Sequence, residues 1–413
     1  MTALDVARAT PPSLRRSVAG ASTLALVGRA VGLVWTVALV TRLGLGDYGL
    51  YAMAFSASSL VAGVVDSPFV ARSGRVDEPS FAHDCTTRTW LGILLLGVGL
   101  ACLRTTWYVP GFAALVAGGE TLLGVVKAGV HRHGRPGAEQ ALDLARQCSS
   151  IVCGTTALVV LGGHHLTAVS LAYATPYAAA AAGALRRRFG RPRALPVREL
   201  LSLAATSLVG AGYAQLDVVI LGVLLGSTAA GAYALAALAA WALALPGQQY
   251  ATGRLPELRR CAEAHPAVVG RVMTGGLCLG TVCVAAPLVA RTVLPSQLAA
   301  ATCLALLAPF VATRTVNWYL STVAVQQRRD AARLWTTALS LAVDVALLLA
   351  LVPVIGVLAA PIAAVGADLA LLAGFARTTR CRLGPAHLSA LGALVAVATI
   401  TGLLVQHPGA APR

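Results

Sequence analysis

Residues 43–52 read LGLGDYGLYA, and residues 225–234 read LGSTAAGAYA. At a constant offset, Leu43, Gly44, Gly49, Tyr51 and Ala52 return as Leu225, Gly226, Gly231, Tyr233 and Ala234. Each copy lies between two apolar stretches and predicts a tight turn joining a helix pair. Glycine reverses the chain without a Cβ clash, and the tyrosine ring suits the membrane–water boundary. A repeat of this length sets the architecture, so it is read before any motif.

The chain around these turns has 413 residues, 57% of them apolar and only 12% charged. Soluble domains carry about 25% charged residues, so a water-soluble enzyme is excluded. The net charge of +16 comes from 32 cations and 16 anions. The cations fall in short clusters and form no single surface, which excludes a nucleic-acid binder. Between the clusters lie thirteen apolar runs, each near the ~20 residues needed to cross a bilayer. They cover residues 21–41, 48–70, 90–106, 109–128, 147–163, 166–185, 200–225, 230–252, 269–290, 295–320, 334–352, 355–376 and 388–405. All-α architecture follows: a polytopic membrane protein of two six-helix lobes plus a thirteenth C-terminal transmembrane helix.

Lys and Arg of short loops stay on the cytoplasmic side. With the N-terminus inside, cytoplasmic pieces hold 26 of the 32 cations and outer pieces four. The remaining two, Arg29 and Arg314, lie within spans. The expected location is the cytoplasmic membrane with a cytoplasmic N-terminus. Arg15 and Arg16 resemble a signal n-region, but the next run is of spanning length and contains Arg29, which predicts an uncleaved first span. Six spans precede the second turn, so both halves start inside and the repeat is parallel. The expected divisions are an N-lobe over 1–185, a basic linker over 186–199, a C-lobe over 200–376, and a loop, helix and tail over 377–413. The linker's RRRFGRPR run, 186–193, has a charge density suited to anionic lipid. The nine cysteines read as small buried hydrophobes. His131, His133, His164 and His165 lack the further ligands of a metal site.

Three segments carry a family resemblance. The first runs from Leu26 to Arg72, with an arginine in its first span and the LGLGDYGLYA turn. The second is QLDVVILGVLLGSTAAGAYALA at 215–236, followed by Pro246 and Pro256. The third runs from Gln326 to Asp368, where a QQRRD loop leads to two spans joined by VPVIG. Together they resemble the oligosaccharide-lipid flippases of the multidrug/oligosaccharidyl-lipid/polysaccharide exporter (MOP) superfamily, relatives of MATE transporters. The resemblance implies two lobes around a cavity open alternately to each side, and a lipid-pyrophosphate-linked oligosaccharide as substrate. Membrane lipids and polysaccharide-assembly proteins are its implied partners.

Ionisable groups inside spans are costly and usually face a polar cavity or each other. Here they fall on polar stripes. Ser22, Ala25, Arg29, Gly32 and Thr36 share one face of the first span, and Ser56, Ser59, Gly63 and Asp66 one face of the second. Thr206, Gly210, Tyr213 and Asp217 do so in the seventh, Arg314, Asn317 and Ser321 in the tenth, and Thr337, Ser340 and Asp344 in the eleventh. Close helix packing is the plainer reading of such stripes. Arg29, ~12 Å into its helix, is the first candidate for pyrophosphate, because a planar guanidinium fork fits phosphate oxygens. Arg314 and Asn317 would assist it. Glu120, at mid-depth in the fourth span, is the expected ion-pair partner of Arg29, a pair able to open for an anion.

Lys127 and Arg132 stand where an anionic head group would enter, or simply obey the topology rule. Asp344 and Asp368 occupy similar depths of neighbouring spans, and adjacent carboxylates raise each other's proton affinity. They form a candidate proton or sodium coupling site, with Asp217 as a third member. A pair between Asp368 and Arg314, or one protonated aspartate in the core, is the alternative. No Gly-rich phosphate loop, nucleophilic triad or metal-ligand spacing occurs; neither an enzyme nor a cofactor is expected. The predicted function is flipping of a lipid-linked oligosaccharide for cell-surface polysaccharide, and the alternative is cation-coupled antiport of drugs or metabolites.

Overall fold

The computed structural model describes residues 12–73, 76–132, 136–161, 165–186, 197–254, 258, 264–293, 295–381 and 383–406. The N-terminal residues 1–11, most of the basic run 186–193 and the tail from His407 lie outside the described residues, as do His133 and His164.

Helix α1 (Pro12–Val65) contains the first two spans in series and breaks at Gly44, with φ 82° and ψ 171°. The second copy of the turn breaks at Gly226, with φ 89° and ψ 170°. This backbone region is essentially closed to residues with a Cβ, so the repeated glycine has one physical reason in both places.

Beyond Asp66 a short helix, α2 (Ser67–Ser73), completes the second span. Asp77 caps α3 (Glu78–Leu103) by accepting from the Ser80 amide, which satisfies one orphan N–H of the first turn. There follow α4 (Tyr108–Arg132), α5 (Pro136–Val160), α6 (Leu166–Ala174), α7 (Pro176–Arg186) and α8 (Val197–Leu225). The later helices are α9 (Ser227–Gly253), α10 (Pro266–Val284), α11 (Ala286–Val293), α12 (Leu298–Leu306), α13 (Ala308–Gln326), α14 (Asp330–Ile355), α15 (Ala359–Thr379) and α16 (Pro385–Gln406).

Among the described residues four spans are interrupted near a proline, which removes a helical donor and clashes with the preceding turn. These are α1–α2 before Pro68, α6–α7 before Pro176, α10–α11 near Pro287, and α12–α13, bent by 48° ahead of Pro309. With α1 and α2 together supplying two spans and each later interrupted pair one, the described residues form thirteen helical segments that match the thirteen apolar runs. The described residues contain no strand. The chain is an all-α, multi-pass membrane protein.

The helices reach further than the apolar runs on the charged side. The run at 90–106 belongs to a helix starting at Glu78, and that at 147–163 to one starting at Pro136. Arg88 and Arg146, expected in cytoplasmic loop pieces, therefore sit inside helices. The correction has a local cause, since both are ion-paired there.

By internal contacts the chain divides into two compact units, Met1–Val219 and Ile220–Arg413. In unit 1, α4 is the central helix and packs against α1, α3 and α7. In unit 2 that place is taken by α13, which packs against α9, α10 and α15 and buries most of its residues. These are the fourth spans of their halves, so each half is organised around the same element.

Candidate functional site

Unit 1 holds a cavity of about 340 Å³. Residues Glu120, Gly124 and Lys127 of α4 line it from one helical face, as their i, i+4, i+7 spacing requires. Asp66, at the break between α1 and α2, and Arg88 of α3 stand opposite. Arg88 donates Nε and Nη2 to Asp66 Oδ1 at 2.9 and 2.6 Å, and its side chain is 2% exposed. A desolvated guanidinium with both donors on one carboxylate oxygen is held in place. A Cβ on Gly124 would lie only 2.3 Å from Arg88 Nη2, and 3.1 and 3.2 Å from the two Asp66 carboxylate oxygens. Glycine thus lets α4 approach the ion pair.

Two more pairs tie α4 to α5. Arg146 Nη2 lies 2.9 Å from Glu120 Oε1, and Lys127 Nζ donates to Asp143 Oδ1 at 2.6 Å. Tyr177 Oη also donates to Glu120 Oε1 at 2.7 Å, and Arg146 Nη1 donates to Tyr173 Oη at 3.3 Å. From there an aromatic cluster fills the bundle: Tyr173 stacks on Trp35, whose Nε1 donates to Tyr51 Oη at 3.2 Å. Glu120 therefore has an arginine partner, but it is Arg146 and not the Arg29 expected from depth alone.

Arg29 is exposed and makes no hydrogen bond or ion pair with another described residue. Its neighbour Gly28 is fixed to α5, because Gln147 Nε2 donates to Gly28 O at 2.8 Å. At about 100° per residue, Arg29 points within ~20° of Thr36 and Val40, both of which are buried. The outward stripe of Ala30, Val34, Val37 and Thr41 is turned away by ~80–140°. Arg29 thus projects from the packing side of α1, into space that is open at its own level.

Unit 2 arranges its charges differently. Arg314 of α13 pairs with Asp368 of α15, Thr313 also donates to that carboxylate, and Asn317 Nδ2 donates to Asp368 O at 3.0 Å. The guanidinium lies 4.7 Å from the Trp241 ring centre and 5.0 Å from that of Phe310, a cation–π arrangement on two sides. Side-chain exposure is 7% for Arg314 and 0% for Asp368, so the structure places Arg314 and Asn317 in the unit's interior and not on an open wall. Asp344 is buried on a stripe with Ser340, Leu348 and Val352. Gly366 faces Leu347 and Gly374 faces Thr336, an antiparallel register that sets Asp344 at the depth of Asp368. Asp217 is buried on α8.

Sequence reasoning missed Arg88 and Arg146. The signal for Arg146 was present: only three residues separate the end of α4 from the start of α5 in the sequence, and opposite charges stand at similar distances on either side of that interval.

The arrangement belongs to the class of folds shared by MATE transporters and MurJ-type flippases. No protein-family model matches the sequence, and neither does any curated protein. Among solved structures, lipid II flippase MurJ in an inward closed conformation matches with a TM-score of 0.65 at 10% identity, covering 94% of this chain and 98% of that one. The MATE multidrug transporter DinF-BH matches with a TM-score of 0.60 at 13% identity, covering 90% and 98%. A MOP superfamily transporter from Pyrococcus furiosus, described as having a binding pocket of reverse polarity, matches at 0.51 and 13%, covering 95% and 96%.

Proposed function

We propose that this protein flips a lipid-pyrophosphate-linked oligosaccharide across the cytoplasmic membrane by alternating access, for cell-surface polysaccharide synthesis. The carrying observation is Arg29, an exposed guanidinium within a membrane span that projects from the packing side of its helix. An arginine at that depth requires an anionic or hydrated partner, and its fork matches phosphate oxygens. Arg314 is already engaged by Asp368, which leaves the phosphate contact to Arg29. The fold shared with a lipid II flippase is consistent with such a substrate.

In this reading the N-terminus is cytoplasmic, the halves 1–185 and 200–376 rock about the linker 186–199, and the lipid tail stays in the bilayer. Asp344, Asp368 and Asp217 are the proposed groups for proton or sodium coupling. Polysaccharide-assembly proteins are the proposed partners.

The test is translocation of a fluorescent polyprenyl-pyrophosphate oligosaccharide in proteoliposomes. Arg29→Ala is expected to abolish it while the protein still inserts, and Arg29→Lys to restore it only in part, since an ammonium lacks the planar fork. Translocation by Arg29→Ala at the native rate would remove the assignment. One observation favours a second reading: the cavity wall contains three carboxylates, Asp66, Glu120 and Glu139, as a cation antiporter would use. Efflux of a dye cation driven by a proton gradient, with no movement of the lipid-linked sugar, would decide for that reading.

A further inference from the structure

The cavity of unit 1 has a chemistry that phosphate binding at Arg29 does not use. We propose that it is a subsite for a neutral pyranose ring, a sugar of the transported head group; this rests on the flippase reading and assigns a second contact point to it.

Three observations carry the inference. The first is charge balance. Asp66 is held by Arg88, Glu120 by Arg146 and Lys127 by Asp143, while Glu139 adds one carboxylate to the wall. Both lining cations are thus already neutralised, and a phosphate would meet no surplus positive charge. Equally, the carboxylates of Asp66 and Glu120 are committed to guanidinium groups, which weakens their pull on a cation. What remains of the three pairs is a set of fixed acceptors and donors that carries no net charge, suited to neutral hydroxyl groups. A carboxylate pinned by arginine still accepts from a neighbouring diol through its free lone pairs.

The second observation is the remainder of the wall. Ser59, Ser67, Ser73 and Ser207 all border the cavity. Ser59 and Ser73 donate to carbonyls of their own helices, Phe55 O and Val70 O, so their oxygens are oriented, and the Ser59 oxygen retains acceptor capacity. The third is size. At about 340 Å³ the cavity is at the small end of ligand sites, which run from about 300 to 1,000 Å³; it suits one ring and not an oligosaccharide.

Two small residues keep the space open, Gly124 on α4 and Ala211 on α8, whose Cβ lies 3.4 Å from where a Cβ on Gly63 would be. Ala211→Leu fills the cavity from one side without altering a charge. Gly124→Ala sets a methyl against the Arg88–Asp66 pair from the other, 2.3 Å from Arg88 Nη2, so the guanidinium must shift into the cavity.

The experiment uses the full chain in lipid nanodiscs and saturation-transfer NMR with glucose, galactose, mannose, rhamnose and N-acetylglucosamine as separate probes. Transfer to at least one sugar is expected, with loss in Ala211→Leu and in Gly124→Ala and retention in Arg29→Ala. Thermal unfolding of each variant in the same nanodiscs separates a filled site from a misfolded chain, and Gly63→Ala, whose Cβ would border the cavity at an ordinary 3.4 Å from the Ala211 Cβ, replaces either variant that is unstable. Transfer to none of the sugars, or transfer that survives in both folded variants, overturns the subsite. A dye cation that binds in a manner abolished by the same two substitutions, without any sugar signal, also overturns it. Failure of the flippase reading is read separately, from native-rate translocation by Arg29→Ala.

Discussion

The fourth spans of the two halves occupy equivalent central positions and carry opposite charges in opposite surroundings. On α4, Glu120 is 30% exposed and borders a cavity, and its Arg146 partner is 15% exposed. On α13, Arg314 and Asp368 are 7% and 0% exposed, and two aromatic rings flank the guanidinium. A buried ion pair stabilises little relative to an apolar core, yet removing one partner leaves a stranded charge. Water in the cavity can solvate Glu120 if its partner leaves. Nothing comparable is available to Asp368. One fold thus uses its central helix as a wet wall in unit 1 and as a sealed clasp in unit 2.

The largest effect should come from opening the clasp. Arg314→Ala strands Asp368 and is expected to cost about 3–5 kcal/mol, read by thermal unfolding in detergent; the double variant Arg314→Leu with Asp368→Leu should recover most of it. If Glu120→Gln costs as much as Arg314→Ala, the contrast between the two units fails.

Next in size are the corner glycines. Gly44→Ala and Gly226→Ala each force a Cβ into a region that costs roughly 1–3 kcal/mol. Similar losses of stability are expected at both sites, and a clear inequality would show that the halves are less alike at their rims than their dihedral angles indicate.

Glu120→Gln should cost about 1 kcal/mol, the usual scale of a single weakened hydrogen-bonded contact, because the cavity hydrates what remains. The smallest effect on stability is expected from Arg29→Ala, within ~0.5 kcal/mol as for a surface position, combined with full loss of translocation. Observed together, those two outcomes would place the proposed substrate contact on the open side of unit 1.

The spans were legible in the sequence because thirteen apolar runs have no other stable use in a chain this poor in charge. The corner turns were legible because Gly44 and Gly226 recur in register. Helix ends were less so. Glu78–Leu103 and Pro136–Val160 begin well before their apolar runs, since Arg88 and Arg146 look like loop charges until their partners are known. Pairing is a long-range property. Arg88 meets Asp66 across 22 residues and Arg314 meets Asp368 across more than twice that distance, and no local pattern selects one partner over another. Depth alone pointed Glu120 at Arg29, whereas the hairpin of α4 and α5 delivers Arg146. The pairing of Asp368 with Arg314 was one of three readings that the residues allowed.

The twin corners at Gly44 and Gly226 also bear on how such a chain is assembled. Each reversal is written into a single residue, so a hairpin leaving the insertion machinery can close before any later partner has been synthesised. The rims are autonomous of the interior, and a duplicated ancestor could rewire its charges without relearning how to thread the bilayer.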